Sequence, residues 1–152
     1  MRCLIQRSLK SQVMVNNNII GEIDYGVVVL VGFTAGDDIN DIDYMVNKII
    51  NLRIFDDEDG VMNRSLLDIN GEVLAVSQFT LYADASKGRR PSYVKALPSS
   101  EALPLYKLFV KKLHESGIAV ATGEFGADMC VNICNDGPIT IMIESRENND
   151  KK

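Results

Sequence analysis

The stretch G-V-V-V-L-V-G-F, Gly26 to Phe33, constrains the fold more than any other segment of the chain. Side chains alternate along a strand, so an unbroken apolar run has no face to offer water. It reads as a central strand that needs protein packed against both sides. The neighbouring segments supply that cover. Leu4 to Arg7 and Gln12 to Val15 read as short strands, and Asn16-Asn17-Asn18 turns into a third, Ile19 to Ile23. Asp37 or Asp38 caps a helix whose apolar stripe is Ile39, Ile42, Met45, Val46, Ile49 and Ile50. Arg53-Ile54-Phe55 leads into the acidic turn D-D-E-D-G.

Asn70-Gly71 predicts a hairpin turn ahead of a strand V-L-A-V-S-Q-F-T-L, residues 73–81. Tyr82 to Leu97 has no periodicity, and loops of that length are often functional. Pro98-Ser99-Ser100-Glu101 starts a second helix, with Pro104 placed in its first turn. Leu103, Tyr106, Phe109, Val110 and Leu113 form its stripe and Gly117 ends it. Ile118–Thr122, Met129–Cys134 and Ile139–Ile143 are closing strands. The pattern predicts a single α/β domain over 1–145, a mixed β-sheet curling toward a barrel with two main helices. R-E-N-N-D-K-K, 146–152, is a polar tail expected to fray.

A length of 152 residues with 46% hydrophobic and 24% charged side chains suits one soluble domain with a real core. No apolar run approaches the ~20 residues of a membrane span. The start M-R-C-L-I-Q-R-S-L-K lacks the apolar region of a signal peptide. Cys3, Cys130 and Cys134 lack metal spacing and read as buried free thiols, so a cytoplasmic location is expected. A net charge of −5 and a pI of about 4.9 argue against a wide nucleic-acid footprint, though not against contact with a single nucleic-acid end. The concentrated basic stretch is K-G-R-R, Lys87 to Arg90, which by composition alone reads as a solvated loop.

Conventional hydrolytic machinery is hard to assemble from these residues. The one histidine, His114, sits among Lys111, Lys112 and Glu115 on the second helix, an exposed position without a nucleophile. No cysteine has an imidazole partner, no cluster has metal spacing, and no glycine loop cradles a phosphate, so neither metal nor cofactor is expected. On an extended strand Gln78 and Thr80 would share one face, and Ser77, Phe79 and Leu81 the other. Gln78 and Thr80 either bond each other and a neighbouring strand, or line a pocket at the strand's end. Asn-Asp-Gly-Pro, Asn135 to Pro138, reads as a tight turn between strands.

Ser77-Gln78-Phe79-Thr80 and Asn135-x-Gly137-Pro138-x-Thr140 together give the chain a close resemblance to the D-aminoacyl-tRNA deacylase family. N-L-R-I-F-D-D-E-D-G, K-G-R-R-P-S and G-E-F-G-A-D-M look like further family segments, and the likeness covers all but the tail. Cys134 departs from the usual family pattern. The resemblance implies hydrolysis of the ester joining a D-amino acid, and by extension glycine, to the terminal adenosine of tRNA. It implies a homodimer in which a cis Gly137-Pro138 reaches into the partner's pocket, holds the substrate's α-amino group and leaves no room for an L side chain. Arg7 then looks like the arginine that steadies that motif, and Met129, Asn135 and Thr140 belong with the substrate-binding set. Lys87, Arg89 and Arg90 become candidate contacts to phosphates at the tRNA 3′ end. The expected mechanism uses the backbone N–H of Phe79, with that of Thr80, for the oxyanion, and the terminal 2′-OH of the tRNA to direct water. Thr80 is nucleophile or pocket wall; without a base beside it, wall is the preferred role. Two other readings compete: a non-catalytic module binding RNA ends or nucleotides, and a plain esterase for small D-amino-acid esters.

Overall fold

The computed structural model describes residues 1–146. In chain order the elements are β1 (Arg2–Ser8), β2 (Ser11–Val15), β3 (Asn18–Ile23), β4 (Gly26–Gly32), α1 (Ile39–Asn51), β5 (Phe55–Asp56) and β6 (Met62–Arg64). There follow β7 (Glu72–Ser77), a 3-10 turn (Phe79–Tyr82), α2 (Ser99–Glu115), β8 (Ala119–Thr122), β9 (Cys130–Asn132) and β10 (Asn135–Glu144). The main sheet runs β10–β1–β4–β7–β8; β1 pairs antiparallel with both β10 and β4, while β4–β7 and β7–β8 are parallel.

β4 occupies the centre, as its sequence requires. Val27, Val29 and Val31 face one way, into a core shared with α1 and α2, where Met45, Phe109 and Leu113 are wholly buried. Val28 faces the other way and meets Val13 and Ile23 of the second sheet, β3–β2–β9. The two sheets curl toward one another around that second core. At one side Gly21 of β3 lies so close to the Thr122 carbonyl of β8 that a Cβ there would be 2.4 Å from it. At the other side β1 turns into β2 and β9 into β10, and the Leu9 N–H donates to the Cys134 carbonyl at 2.9 Å across the two corners.

Helix α1 starts with a reciprocal cap. Asp38 accepts from the Asn40 N–H at 2.8 Å, while Asp41 accepts from the Asp38 N–H at 2.9 Å. Its stripe is buried as expected at Ile42, Met45, Val46 and Ile49, while Ile50 is half-buried and Ile39 is exposed. In α2 the proline lies deeper than expected. Pro98 is the N-cap, so Pro104 falls in the second turn, and the helical partner it removes is that of the Ser100 carbonyl, on an exposed residue.

Four other expectations are corrected. Asn70 does take the left-handed conformation of a tight turn, φ 51°, yet no hairpin forms, because β7 pairs in parallel with β4 and β8. The strand 73–81 stops at Ser77. Cys3 is buried, but Cys130 and Cys134 are exposed, since among the described residues no layer covers the outer face of the second sheet. Arg146, assigned to the tail by sequence, is tied to the start of α1: its guanidinium reaches Asp41 at 3.1 Å, Asp37 at 3.3 Å and the Gly36 carbonyl. The rest of the tail lies outside the described residues.

Burial alone would favour the neutral Asp41 carboxyl, but hydrogen bonds from Arg146, Ser145 and the Asp38 N–H outweigh it and hold the group well below the usual carboxylate range. A folded-state pKa below the unfolded value stabilises the fold above about pH 4, and that contribution fades as the pH falls further. Asp41→Asn should therefore cost about 2 kcal/mol at neutral pH and flatten the loss of stability between about pH 5 and pH 3, as read from urea unfolding at several pH values.

Candidate active site

A cleft of about 630 Å³ opens beyond the carboxyl ends of the parallel pair β4 and β7, the place where parallel strands present ligand sites. Ser77, Gln78 and Phe79 form one wall, and Gly32 and Phe33 adjoin them. Tyr93 and the segment Ala96 to Ser99, leading into α2, and the segment Phe125 to Met129 complete it. Met129 lines the cleft and packs against Gly123, where a Cβ would lie 2.5 Å from the methionine sulfur.

The Gln78 N–H makes the last bond of the β4–β7 pairing, 2.7 Å to the Val31 carbonyl. Then the chain leaves the sheet and winds into one 3-10 turn, closed by Leu81 N–H to Gln78 O at 3.3 Å and Ala83 N–H to Thr80 O at 3.0 Å. Gly32 permits this: a Cβ there would sit 2.9 Å from the Gln78 carbonyl oxygen. A 3-10 turn leaves its first amides without intrahelical acceptors. Among the described residues the N–H groups of Phe79 and Thr80 have none, and Phe79 lies on the cleft wall.

The turn changes what the side chains do. Gln78 and Thr80 still meet, the Gln78 amide donating to the Thr80 hydroxyl, but through turn geometry rather than strand alternation. Thr80 is not part of the cleft wall, and among the described residues no base accepts its proton. Phe79 is 57% exposed and meets Tyr93 edge-on at 5.3 Å. Asp128, Tyr93 and Phe125 also line the cleft. Sequence reasoning did not single these out, although Phe125 and Asp128 fall inside the quoted segment G-E-F-G-A-D-M. Lys87, Arg89 and Arg90 are exposed in the loop pinched by an Asp84–Ser92 bridge; the loop's far end lines the cleft, while the three cations do not. His114 is exposed on α2.

The other candidate residues form a separate cluster at the start of β10. The Asn135 side-chain amide donates to the carbonyls of Arg7 at 2.9 Å and Ile139 at 3.0 Å, and its oxygen accepts from the Thr140 hydroxyl at 3.1 Å. These bonds brace an exposed Gly137-Pro138 with a cis peptide bond, Gly137 taking φ 116°. Arg7 is 6% exposed; its guanidinium lies 3.1 Å from Asp136 and 3.5 Å from Asp56, and donates to the Ile54 carbonyl at 2.9 Å. A Cβ on Gly137 would lie 3.4 Å from Arg7. Within one chain the cluster contributes nothing to the cleft wall. Among the described residues no group of three or more His, Cys, Asp or Glu could hold a metal ion, and no helix is long and apolar enough to cross a membrane.

Residues 4–144 match the profile of the family described as D-Tyr-tRNA(Tyr) deacylase. The chain belongs to the D-aminoacyl-tRNA deacylase family. Among proteins named D-aminoacyl-tRNA deacylase, that of Clostridium kluyveri is 53% identical over 97% of this chain and 99% of its own. That of Thermus aquaticus is 52% identical, with 97% of each chain covered. A solved structure described as "c-Myc DNA Unwinding Element Binding Protein" superposes with a TM-score of 0.89 at 38% identity, covering 95% of this chain and 98% of that one. The fold also matches a structure described as a probable eukaryotic D-amino acid tRNA deacylase, TM-score 0.79 at 21% identity over 94% of this chain and 98% of that one. In this family member the Asn135 bonds predict that Asn135→Ala lowers stability by about 1–2 kcal/mol, from roughly 1 kcal/mol for each of the two part-buried hydrogen bonds, as measured by denaturant unfolding.

Proposed function

We propose that the chain hydrolyses the ester bond of D-aminoacyl-tRNA, releasing the free D-amino acid and tRNA, and that it accepts glycyl-tRNA as well. Family membership supports the reaction. The observation that supports the route is the pair of unclaimed amides, Phe79 and Thr80, at the end of β7. Phe79 lies on the cleft wall, so the proposed seat for the ester carbonyl puts its oxygen beside this pair of unclaimed amides. As water adds to the carbonyl carbon, negative charge gathers on that oxygen and the amides stabilise it, an effect commonly of about 10²–10³ in rate per donor. The bond to the 3′ oxygen then breaks, and that oxygen takes the proton the water loses. The terminal 2′-OH of the tRNA directs the water, a role that suits a cleft without an imidazole base. Thr80 acts as a support for the turn from outside the cleft, its hydroxyl accepting from the Gln78 amide and having no base beside it among the described residues.

Selectivity rests on a second copy of the chain. In the proposed homodimer Gly137-Pro138 of one protomer enters the other's cleft, where its carbonyls hold the α-amino group and crowd out an L side chain. Support comes from the rigidity of that exposed segment, fixed by Asn135, Thr140 and Arg7, and from its separation from its own chain's cleft. Rejection by an unyielding backbone needs no better contact to the D enantiomer. Met129 forms the facing wall, Lys87, Arg89 and Arg90 meet phosphates of the 3′ end, and the cytoplasm is where charged tRNA is found.

Incubation with D-Tyr-tRNA and L-Tyr-tRNA should release only the D-amino acid; binding without release would point to a passive RNA-end module, and equal activity on small D-esters to a plain esterase. In single-turnover assays both Thr80→Ala and Thr80→Ser should keep measurable activity. A dead alanine variant beside an active serine variant would make Thr80 the nucleophile. A 2′-deoxy terminal adenosine should slow release by about 10²-fold or more if the substrate hydroxyl directs water.

A further inference from the structure

The 3-10 turn is held at both ends, and the second hold comes from a residue outside the cleft. Upstream, β4 fixes it through the Val31 carbonyl and the space above Gly32. Downstream, Arg2 donates from Nη1 to the Leu81 carbonyl at 2.9 Å and stacks over the Tyr82 ring, its guanidinium carbon 4.5 Å from the ring centroid. The Nε side of the same group is ion-paired with Glu144 on β10. Arg2, Glu144 and Gly32 form one row across the sheet, Arg2 pairing directly with Glu144 on one side and Gly32 on the other. Tyr82 itself is 7% exposed. One planar group thus grips the last two residues of the four-residue turn that carries the amides of Phe79 and Thr80.

We propose that Arg2 is a positioning residue for the reaction: by fixing Leu81 and Tyr82 it sets the direction of the Phe79 and Thr80 N–H groups toward the developing oxyanion. The role rests on the reading of those amides given above. It asks for a guanidinium specifically. Three functions are combined in one rigid plane, a hydrogen bond to a carbonyl, a stack on a ring and a charge pair, and a lysine ammonium cannot meet all three together. Nothing in the arrangement touches substrate, so the effect falls on the chemical step and not on binding.

Arg2→Met and the milder Arg2→Lys would be compared with the parent in single-turnover hydrolysis of D-Tyr-tRNA, with folded fraction measured by urea unfolding. Each variant would also be made with the Phe79 amide replaced by an ester, which removes that N–H while keeping the side chain. Per folded molecule, Arg2→Met should lower the maximal rate by about 10- to 100-fold with the half-saturating tRNA concentration within about two-fold. Arg2→Lys should recover only part of the rate. In the ester background most of the Arg2 effect should vanish, because both changes act on one interaction. An Arg2 variant with parental rate per folded molecule, a change confined to half-saturation, or fully additive losses would each overturn the positioning role while leaving the amide reading intact. An ester enzyme as fast as the parent would overturn the amide reading, and Arg2's role with it.

Discussion

The parallel pairing of β4 with β7 is the interaction on which the rest of the structure depends. β4 has no polar face, so it can exist only with helices on one side and a second sheet on the other. A glycine closes each end of it, and both glycines are contact points with the partner strand. A Cβ at Gly26 would come within 1.9 Å of the Glu72 carbonyl, where β7 begins, and one at Gly32 would crowd the Gln78 carbonyl, where β7 ends. The register Gly26↔Glu72 through Val31↔Ser77 therefore sets where β7 starts and where it leaves the sheet. The cleft lies at the departure point because parallel strands finish on the same side.

Much of this architecture was legible in the residues. β4 announced itself by composition and α1 by its stripe and its aspartate cap, whereas Asn135 to Pro138, whose residues read as a tight turn between strands, is instead the extended start of β10, paired to β1 through Ser8. What misled were local signals overridden by distant partners. Residues 77–81 continue the apolar and polar alternation of β7, so nothing within them says that the strand ends at Ser77. The contacts that accompany the turn come from Gly32 and Arg2, far away in sequence. Asn70-Gly71 made the turn its chemistry demands, but a turn does not name the strand that the chain next lies beside. Cys130 and Cys134 share a face that alternation identifies correctly; that it is the open face depends on how many layers cover the second sheet.

The candidate site was legible in part, for the same reason. The motifs Ser77–Thr80 and Asn135–Thr140 mark two rigid clusters, each internally bonded, and neither sequence nor single-chain geometry joins them. Thr80, prominent in the motif, stands outside the cleft wall, whereas Asp128 and Tyr93, on it, carry no signal of their own. The groups proposed to stabilise charge are main-chain amides, which every residue but proline possesses, so a pattern of side chains cannot point to them.

That last property has an evolutionary side. A donor that belongs to the backbone survives nearly every codon change at its own position; at Phe79 only proline would delete it. The residues that hold its direction, such as the unsubstituted α-carbon of Gly32, have no such latitude. Mutational vulnerability is thereby moved away from the reacting atoms and onto their supports. A substitution at Phe79 can thus change the surface the turn presents to the cleft while its N–H stays in place.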